Sequence, residues 1–245
     1  MPENGVGEVF SMQICTPTYD VGWDGRLRLS ALLRWQQEAG EQQLIRHGMA
    51  WETLAAEGWA FVLTRAAGTI YRLPRSGEHV RLETWQRRVL GASFLRGYRL
   101  VGAGEERLTE CASTFCIVDA HTHQLLRSRV LGERQLPSLT REDECPPPRR
   151  LHEPETPFAP AGEWEVHRSA VDFNRHLNNT VYADLLTDFL PEETAARPLR
   201  TFTLQLEHEA RCGDRLALRH AATADESFVE GWRGDVRCFL GSVTF

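Results

Sequence analysis

Lysine is absent from the 245 residues, and all 28 basic residues are arginine. Any surface for an anionic partner must therefore be built from guanidinium groups, which favour two-pronged contacts to phosphate and carboxylate. No apolar run approaches the roughly 18 to 20 residues that span a bilayer, so no membrane span is expected. Met1 to Gly7 lack the basic and apolar stretches of a secretory signal, and a cytoplasmic protein is expected. The six cysteines, Cys15, Cys111, Cys116, Cys145, Cys212 and Cys238, contain no CxxC pair. Their spacing suits neither a zinc site nor a disulfide framework, and free, mostly buried thiols are expected. His121 and His123 have no carboxylate or cysteine ligand at fitting spacing and read as a turn, so neither metal nor cofactor is expected. A net charge of −6 argues against a nucleic-acid partner.

Proline, in contrast, is concentrated. Pro146, Pro147 and Pro148 remove three consecutive backbone donors, and Pro154, Pro157 and Pro160 follow. Such a stretch is neither a helix interior nor a central strand. It reads as an extended linker over 136–162, between a first domain at 8–135 and a second at 163–245.

The two halves show the same order of elements. In the first, a strand at 9–18 leads to the turn Asp20 to Gly25. Ser30 is placed to cap a helix running to about His47. A short helix follows at 51–57, then strands at 59–71, 79–88, 94–101 and 107–118, punctuated by glycine and proline. In the second, a strand at 164–170 leads to Asp172 to His176. A helix is expected from Asn178 or Asn179 to Phe189, stopped by Pro191, with strands at 201–209, 216–222, 227–232 and 236–243. The two turns can be laid over each other with Asp20 on Asp172 and Gly22 on Asn174. One long helix wrapped by a curved antiparallel sheet is the hotdog arrangement. Two copies give an α+β double hotdog.

The most specific string is Asp172-Phe173-Asn174-Arg175-His176-Leu177-Asn178-Asn179-Thr180-Val181-Tyr182. Strand-like alternation puts Asp172, Asn174 and His176 on one side and turns Phe173 and Leu177 toward packing. A helix start follows, with unpaired N–H groups. Carboxylate, imidazole and oxyanion donors thus converge, whereas helix caps alone need no histidine.

This string resembles the signature of the plant and bacterial acyl-acyl carrier protein thioesterase family, which is a double hotdog. Trp59 to Arg65 with Tyr71 to Pro74, Gly77 to Trp85, and Leu206-Glu207 with Cys212-Gly213 are similar to further stretches of that family. The resemblance implies that Asp172, Asn174 and His176 are the catalytic Asp, Asn and His. It also implies an acidic residue immediately before the cysteine of the later strand, where this chain has Arg211 before Cys212. Glu209 and Glu207 lie on the same strand face as Arg211, and a bulge is one way to bring Glu209 into the role. Cys212 as a nucleophile beside His176 is the weaker alternative.

The reaction expected is hydrolysis of a fatty acyl thioester. Asp172, helped by His176, activates water or itself attacks, and Asn174 with a backbone N–H holds the oxyanion. The acyl chain is expected in an apolar tunnel between the first long helix and its sheet, with Leu32, Trp35, Trp51, Phe61 and Leu63 as lining residues. The expected partner is acyl carrier protein bearing an acyl-phosphopantetheine, met by an arginine-rich surface. Monomer and homodimer both stay open. Three rivals remain: an acyl-CoA thioesterase, a hotdog hydratase or dehydratase, and a non-catalytic acyl-binding protein.

Overall fold

The computed structural model describes residues 7–141, 144–195 and 197–245. They fall into two compact units, one running to Thr64 and resuming at Tyr71–Pro148, the other holding Arg65–Ile70 and Arg149–Phe245.

In the first unit, β1 (Phe10–Cys15), α1 (Leu29–Arg46), α2 (Trp51–Ala56), the first part of β2 (Trp59–Ile70, whose Arg65–Ile70 belongs to the second unit), β3 (His79–Leu90), β4 (Ser93–Gly102) and β5 (Arg107–Asp119) follow in order. The strands are hydrogen-bonded in the order β1-β3-β4-β5-β2. Register shifts interrupt β3/β4 between Gln86 and Arg88, and β4/β5 between Leu100 and Val101. Such bulges add bend and twist to a sheet. The sheet's inner face covers α1, whose buried side carries Leu29, Leu32, Leu33, Trp35 and Ala39, but also Ser30, Gln36 and Gln43.

The second unit contains β6 (Ala159–Glu165), α3 (Val181–Asp188), α4 (Glu192–Ala195), β7 (Thr201–Leu206), β8 (Arg215–Ala222), β9 (Glu226–Arg233) and β10 (Val236–Thr244). Residues 65–69 of β2 pair with β7, and the order continues β10-β9-β8-β6. Tyr182, Ala183, Leu185 and Leu186 of α3 are buried, with the Tyr182 ring 5.2 Å from Phe239.

Several expectations need correction. Ser30 does not cap α1: the cap position is Arg28, and Ser30 lies inside the helix, fully buried. The strand expected at 164–170 is displaced. β6 covers Ala159–Glu165 and a 3₁₀ turn covers Arg168–Ala170. An edge strand tolerates Pro160 at its bulge, between Pro160 and Gly162. The second helix has 8 residues against 18 in α1. It starts at Val181 because Asn178 Oδ1 accepts from Thr180 N (2.9 Å) and Thr180 Oγ1 (2.8 Å), holding 178–180 in a turn. Three cysteines, Cys111, Cys145 and Cys238, are buried; Cys15 and Cys212 are exposed.

Among its described residues the proline-rich stretch has no regular element before Ala159, yet it is anchored. Leu139 N donates to Gln86 O at 2.8 Å. Glu144 takes the Trp85 indole N–H at 2.6 Å and pairs with Arg87 at 2.6 Å. Leu151 N donates to Gln205 Oε1 at 3.0 Å. Extended backbone needs such partners because proline supplies no donor.

Each sheet also has an aromatic ring over a bare glycine. Trp85 faces Gly97 across β3/β4, and Phe239 faces Gly231 across β10/β9. A Cβ at Gly97 would lie 2.6 Å from the indole, and one at Gly231 would lie 2.5 Å from the phenyl ring. Gly97→Ala and Gly231→Ala are each expected to cost about 1–3 kcal/mol by overpacking. Thermal denaturation of the two variants checks this, and an unchanged midpoint contradicts it.

Candidate active site

Residues 171–178 form a tight loop closed by its own backbone. Asp172 N donates to His176 O (2.9 Å), Arg175 N to Asp172 O (3.0 Å), and Asn178 N to Ala170 O (2.9 Å). The Asp172 carboxylate tightens the same loop, with Oδ1 accepting from Asn174 N at 2.8 Å and His176 N at 3.3 Å. An aspartate that bonds its own following backbone is a standard turn former. Its charge still sits, half-buried, beside the histidine. Asn174 is exposed at the loop tip. Phe173, expected to pack inward, is 60% exposed, whereas Leu177 is buried at 2%. The tip breaks the alternation that would have turned the phenyl ring inward.

The loop is pinned to the segment after β7. Leu177 N donates to Ala210 O at 2.7 Å, and His176 bridges Arg211. β7 ends at Leu206, so 207–211 are not regular strand. Glu207 N and His208 N both point to Cys238 O, at 2.9 and 3.3 Å. Two successive donors on one carbonyl mark a bulge. Beyond it, Glu209 Oε2 lies 3.0 Å from His176 Nε2. Its other oxygen, Oε1, accepts from Arg211 Nε (3.2 Å) and Nη2 (2.5 Å). His176 and Glu209 side chains are 32% and 33% exposed, so a substrate can reach them.

The structure therefore joins His176 to Glu209, with Asp172 beside them in the loop. It does not bring Cys212 into the histidine's contacts; that thiol is exposed in the following turn. Tyr182 is core, and burial raises its hydroxyl pKa above the ordinary value. Reading from sequence missed Arg211 as the clamp on Glu209. The available signal was the opposite charge two residues away. The His121–His123 segment is a turn in which Asp119 Oδ1 accepts from His121 N (2.9 Å) and Thr122 N (2.7 Å).

The expected lining residues lie in the first unit. Leu32 is fully buried. Trp35 is 8% exposed, and its indole N–H donates to buried Asp20 at 2.9 Å. Phe61 meets Phe94 edge-on at 5.0 Å, within the cluster of Met49, Leu54, Ile117, Leu131 and Leu136. Leu63 is half-buried on β2. Trp51, at the first position of α2, is 41% exposed and stands at the surface.

The first unit repeats the loop bond for bond. Gly22 N donates to Arg26 O, Gly25 N to Gly22 O, Arg28 N to Asp20 O, and Leu27 N to Pro74 O. This places Gly22 on Asp172, Asp24 on Asn174, Arg26 on His176 and Leu73 on Glu209. The overlay expected from sequence, Asp20 on Asp172, is two residues out of register, because it matched acid to acid rather than bond to bond. The first loop thus keeps the frame without the acid, imidazole and second carboxylate.

Residues 7–133 match the acyl-ACP thioesterase N-terminal domain, and residues 159–233 match the C-terminal domain. The chain belongs to the acyl-ACP thioesterase family, and its fold is the double hotdog. Dodecanoyl-[acyl-carrier-protein] hydrolase of Cinnamomum camphora is 24% identical over 224 residues, covering 83% of this chain and 56% of the relative. The chain thus spans about half the length of that curated relative. An acyl-ACP thioesterase from Bacteroides thetaiotaomicron superposes with TM-score 0.82 at 19% identity, covering 97% of each chain. The 12:0-ACP thioesterase from Umbellularia californica gives 0.80 at 18%, covering 96% of each.

The paired loops allow a backbone test. Gly25 has φ 72° with nothing within 4 Å of an added Cβ. Arg175 holds the equivalent place at φ 64° with a side chain. Gly25→Ala is expected to cost about 1 kcal/mol, the left-handed penalty for an L-residue. Arg175→Gly should leave stability unchanged or raise it by up to about 1 kcal/mol. Denaturant titration of both variants checks the pair.

Proposed function

We propose that this protein hydrolyses the thioester of fatty acyl groups carried on acyl carrier protein and releases the free fatty acid. Family membership supports the substrate class. The observation that carries the chemistry is the His176–Glu209 contact at 3.0 Å, next to Asp172 in the same loop.

With Glu209 ionised, its bond to Nε2 requires the imidazole proton there. Nδ1 is then the acceptor that takes a proton from water. Glu209 holds the tautomer and stabilises the imidazolium that forms. Arg211 is a positioning residue that fixes the other Glu209 oxygen. Asp172 supplies negative charge beside the reacting carbonyl, as a second base or as the attacking group. Asn174, at the loop tip, supplies an oxyanion donor, a contribution of roughly 3–4 kcal/mol in other enzymes. Exposed Arg175, in a strained conformation that glycine takes in the sister loop, suits the acidic carrier or its phosphate. We place the reaction in the cytoplasm.

Purified protein and acyl carrier protein loaded with several chain lengths test this reading. His176→Ala and Glu209→Gln are expected to lower kcat by roughly 10² to 10⁴, with unchanged thermal midpoints. Asp172→Asn keeps a side-chain oxygen for the loop but removes the charge. A loss above about 10²-fold in that variant assigns the charge to chemistry, and wild-type turnover reduces Asp172 to a turn former. Arg211→Gln should cost less than tenfold, since Glu209 retains His176. Equal kcat/KM on coenzyme A and carrier-protein thioesters of one chain would remove the carrier protein from the proposal.

A further inference from the structure

The two most exposed large apolar side chains among the described residues stand close together in the first-unit loop. Trp23 is 89% exposed and Tyr19 76%. Trp23 sits at the loop's apex, in the turn closed by Gly25 N to Gly22 O at 2.9 Å. By the hydrogen-bond frame it matches Phe173, itself 60% exposed. An indole left in water gives up the gain of burial. The aromatic tip is kept in the loop that lacks the acid, the imidazole and the second carboxylate, so catalysis does not account for it.

Behind the tip the unpaired charges are of one sign. Arg26 and Arg75 face each other in an antiparallel bridge, the counterpart of His176 and Arg211 in the second unit. Residues directly opposite in such a pair send their side chains to the same face, and like charges there repel. In the second unit Glu209 pairs with both cations. Leu73 holds its place in the first and answers neither guanidinium. Arg28 joins the pair at the loop: its Nη2 donates to Tyr19 O at 2.5 Å, and its Cγ lies 3.5 Å from where a Cβ at Gly22 would stand. Among the described residues, Arg26, Arg28 and Arg75 have no carboxylate within 4 Å. The neighbouring acids are engaged elsewhere: Asp20 holds Arg34 at 2.9 Å and Glu78 holds Arg72 at 2.7 Å. Asp24 accepts from Arg26 N at 3.0 Å and is the one exposed acid of the tip.

We propose that the first-unit loop is a surface anchor that holds the protein on an anionic phospholipid bilayer. The bilayer interface offers what the loop presents: lipid phosphates for the arginines, and the headgroup zone that tryptophan and tyrosine prefer. Guanidinium forks match phosphate. A protein partner fits less well. Charged residues are depleted at the centre of protein interfaces and anchoring aromatics there fill pockets, whereas here three cations of one sign accompany a protruding ring. Such an anchor, with no lipid chain of its own, gives weak, reversible attachment that salt loosens. The inference concerns this loop alone and does not depend on the thioesterase reading.

The experiment floats the full chain with vesicles of phosphatidylcholine alone and of equal parts phosphatidylcholine and phosphatidylglycerol, over a series of salt concentrations. Wild type is expected on the anionic vesicles only, and less of it as salt rises. Arg26→Gln, Arg28→Gln and Arg75→Gln should each weaken binding about fivefold, the contribution of one arginine near an anionic surface. Trp23→Ala should weaken it at every salt concentration. Asp24→Asn should strengthen it, because the anionic surface repels that acid. Trp23 and Asp24 are exposed, so these two variants keep the wild-type thermal midpoint and decide the matter if an arginine variant fails to fold. Equal binding to both vesicle types, binding to neither, or wild-type binding by Trp23→Ala overturns the proposal. So does Trp23-dependent binding of acyl carrier protein in place of vesicles, which assigns the loop to a protein partner.

Discussion

One backbone bond, Leu177 N to Ala210 O at 2.7 Å, holds the candidate site together. It ties a loop ahead of a helix to an irregular stretch after a strand. Neither segment could place its own side chains: the loop carries the imidazole and one acid, the stretch after β7 the other acid. Bonding Leu177 to Ala210 puts the residue before each, His176 and Glu209, within reach, at 3.0 Å between side chains. Asp172 contributes on both levels. Its carboxylate closes the loop that presents His176 by accepting from the backbone N–H groups of Asn174 and His176, and the same carboxylate brings an acid into the loop.

The first unit shows what that frame is without the chemistry. Leu27 N to Pro74 O, at 2.8 Å, is the same bond. With Gly22, Arg26 and Leu73 at the key positions, the loop lacks the catalytic set. Its interior has diverged in the other direction. Gln36, Gln43 and Arg96 are buried in the first unit, whereas the buried side of α3 in the second carries Leu185 and Leu186. The candidate site thus lies in one hotdog, and a buried arginine without a carboxylate within 4 Å among the described residues lies in the other. Stability alone favours neither arrangement, since a buried charge costs more than an apolar side chain of equal volume.

Much of this was legible in the sequence. Apart from β6, strand ends in both halves fall within about three residues of their expected places, because half-buried strands alternate and glycine or proline stops them. The string from Asp172 to Tyr182 announced the loop. Local signals misled where tertiary contacts decided. Ser30 looks like a cap, yet its hydroxyl is buried within α1. Phe173 sits at an inward position of an ideal strand but at the tip of an actual turn. Matching Asp20 to Asp172 followed residue identity, while the hydrogen-bond frame puts glycine there. The buried Arg96 carried no local signal, because exposure of a long basic side chain is the default.

Glu209 shows why a pattern read at one position can mislead. On a regular strand, residues 209 and 211 would face the same side about 7 Å apart, and only one could touch His176. The chain is not regular there. The shared carbonyl of Cys238 draws 207 and 208 together, and 209 swings toward the ring. Arg211, directly across from His176, would repel an imidazolium if it stood alone. Instead it reaches back and shares the Glu209 carboxylate, leaving one oxygen for each cation. A carboxylate between imidazole and guanidinium is electrostatically sound whichever of the two positions supplies it. Where the resemblance to the family implies an acid at the position of Arg211, Glu209 meets the histidine instead. The bulge after β7 is what lets it do so.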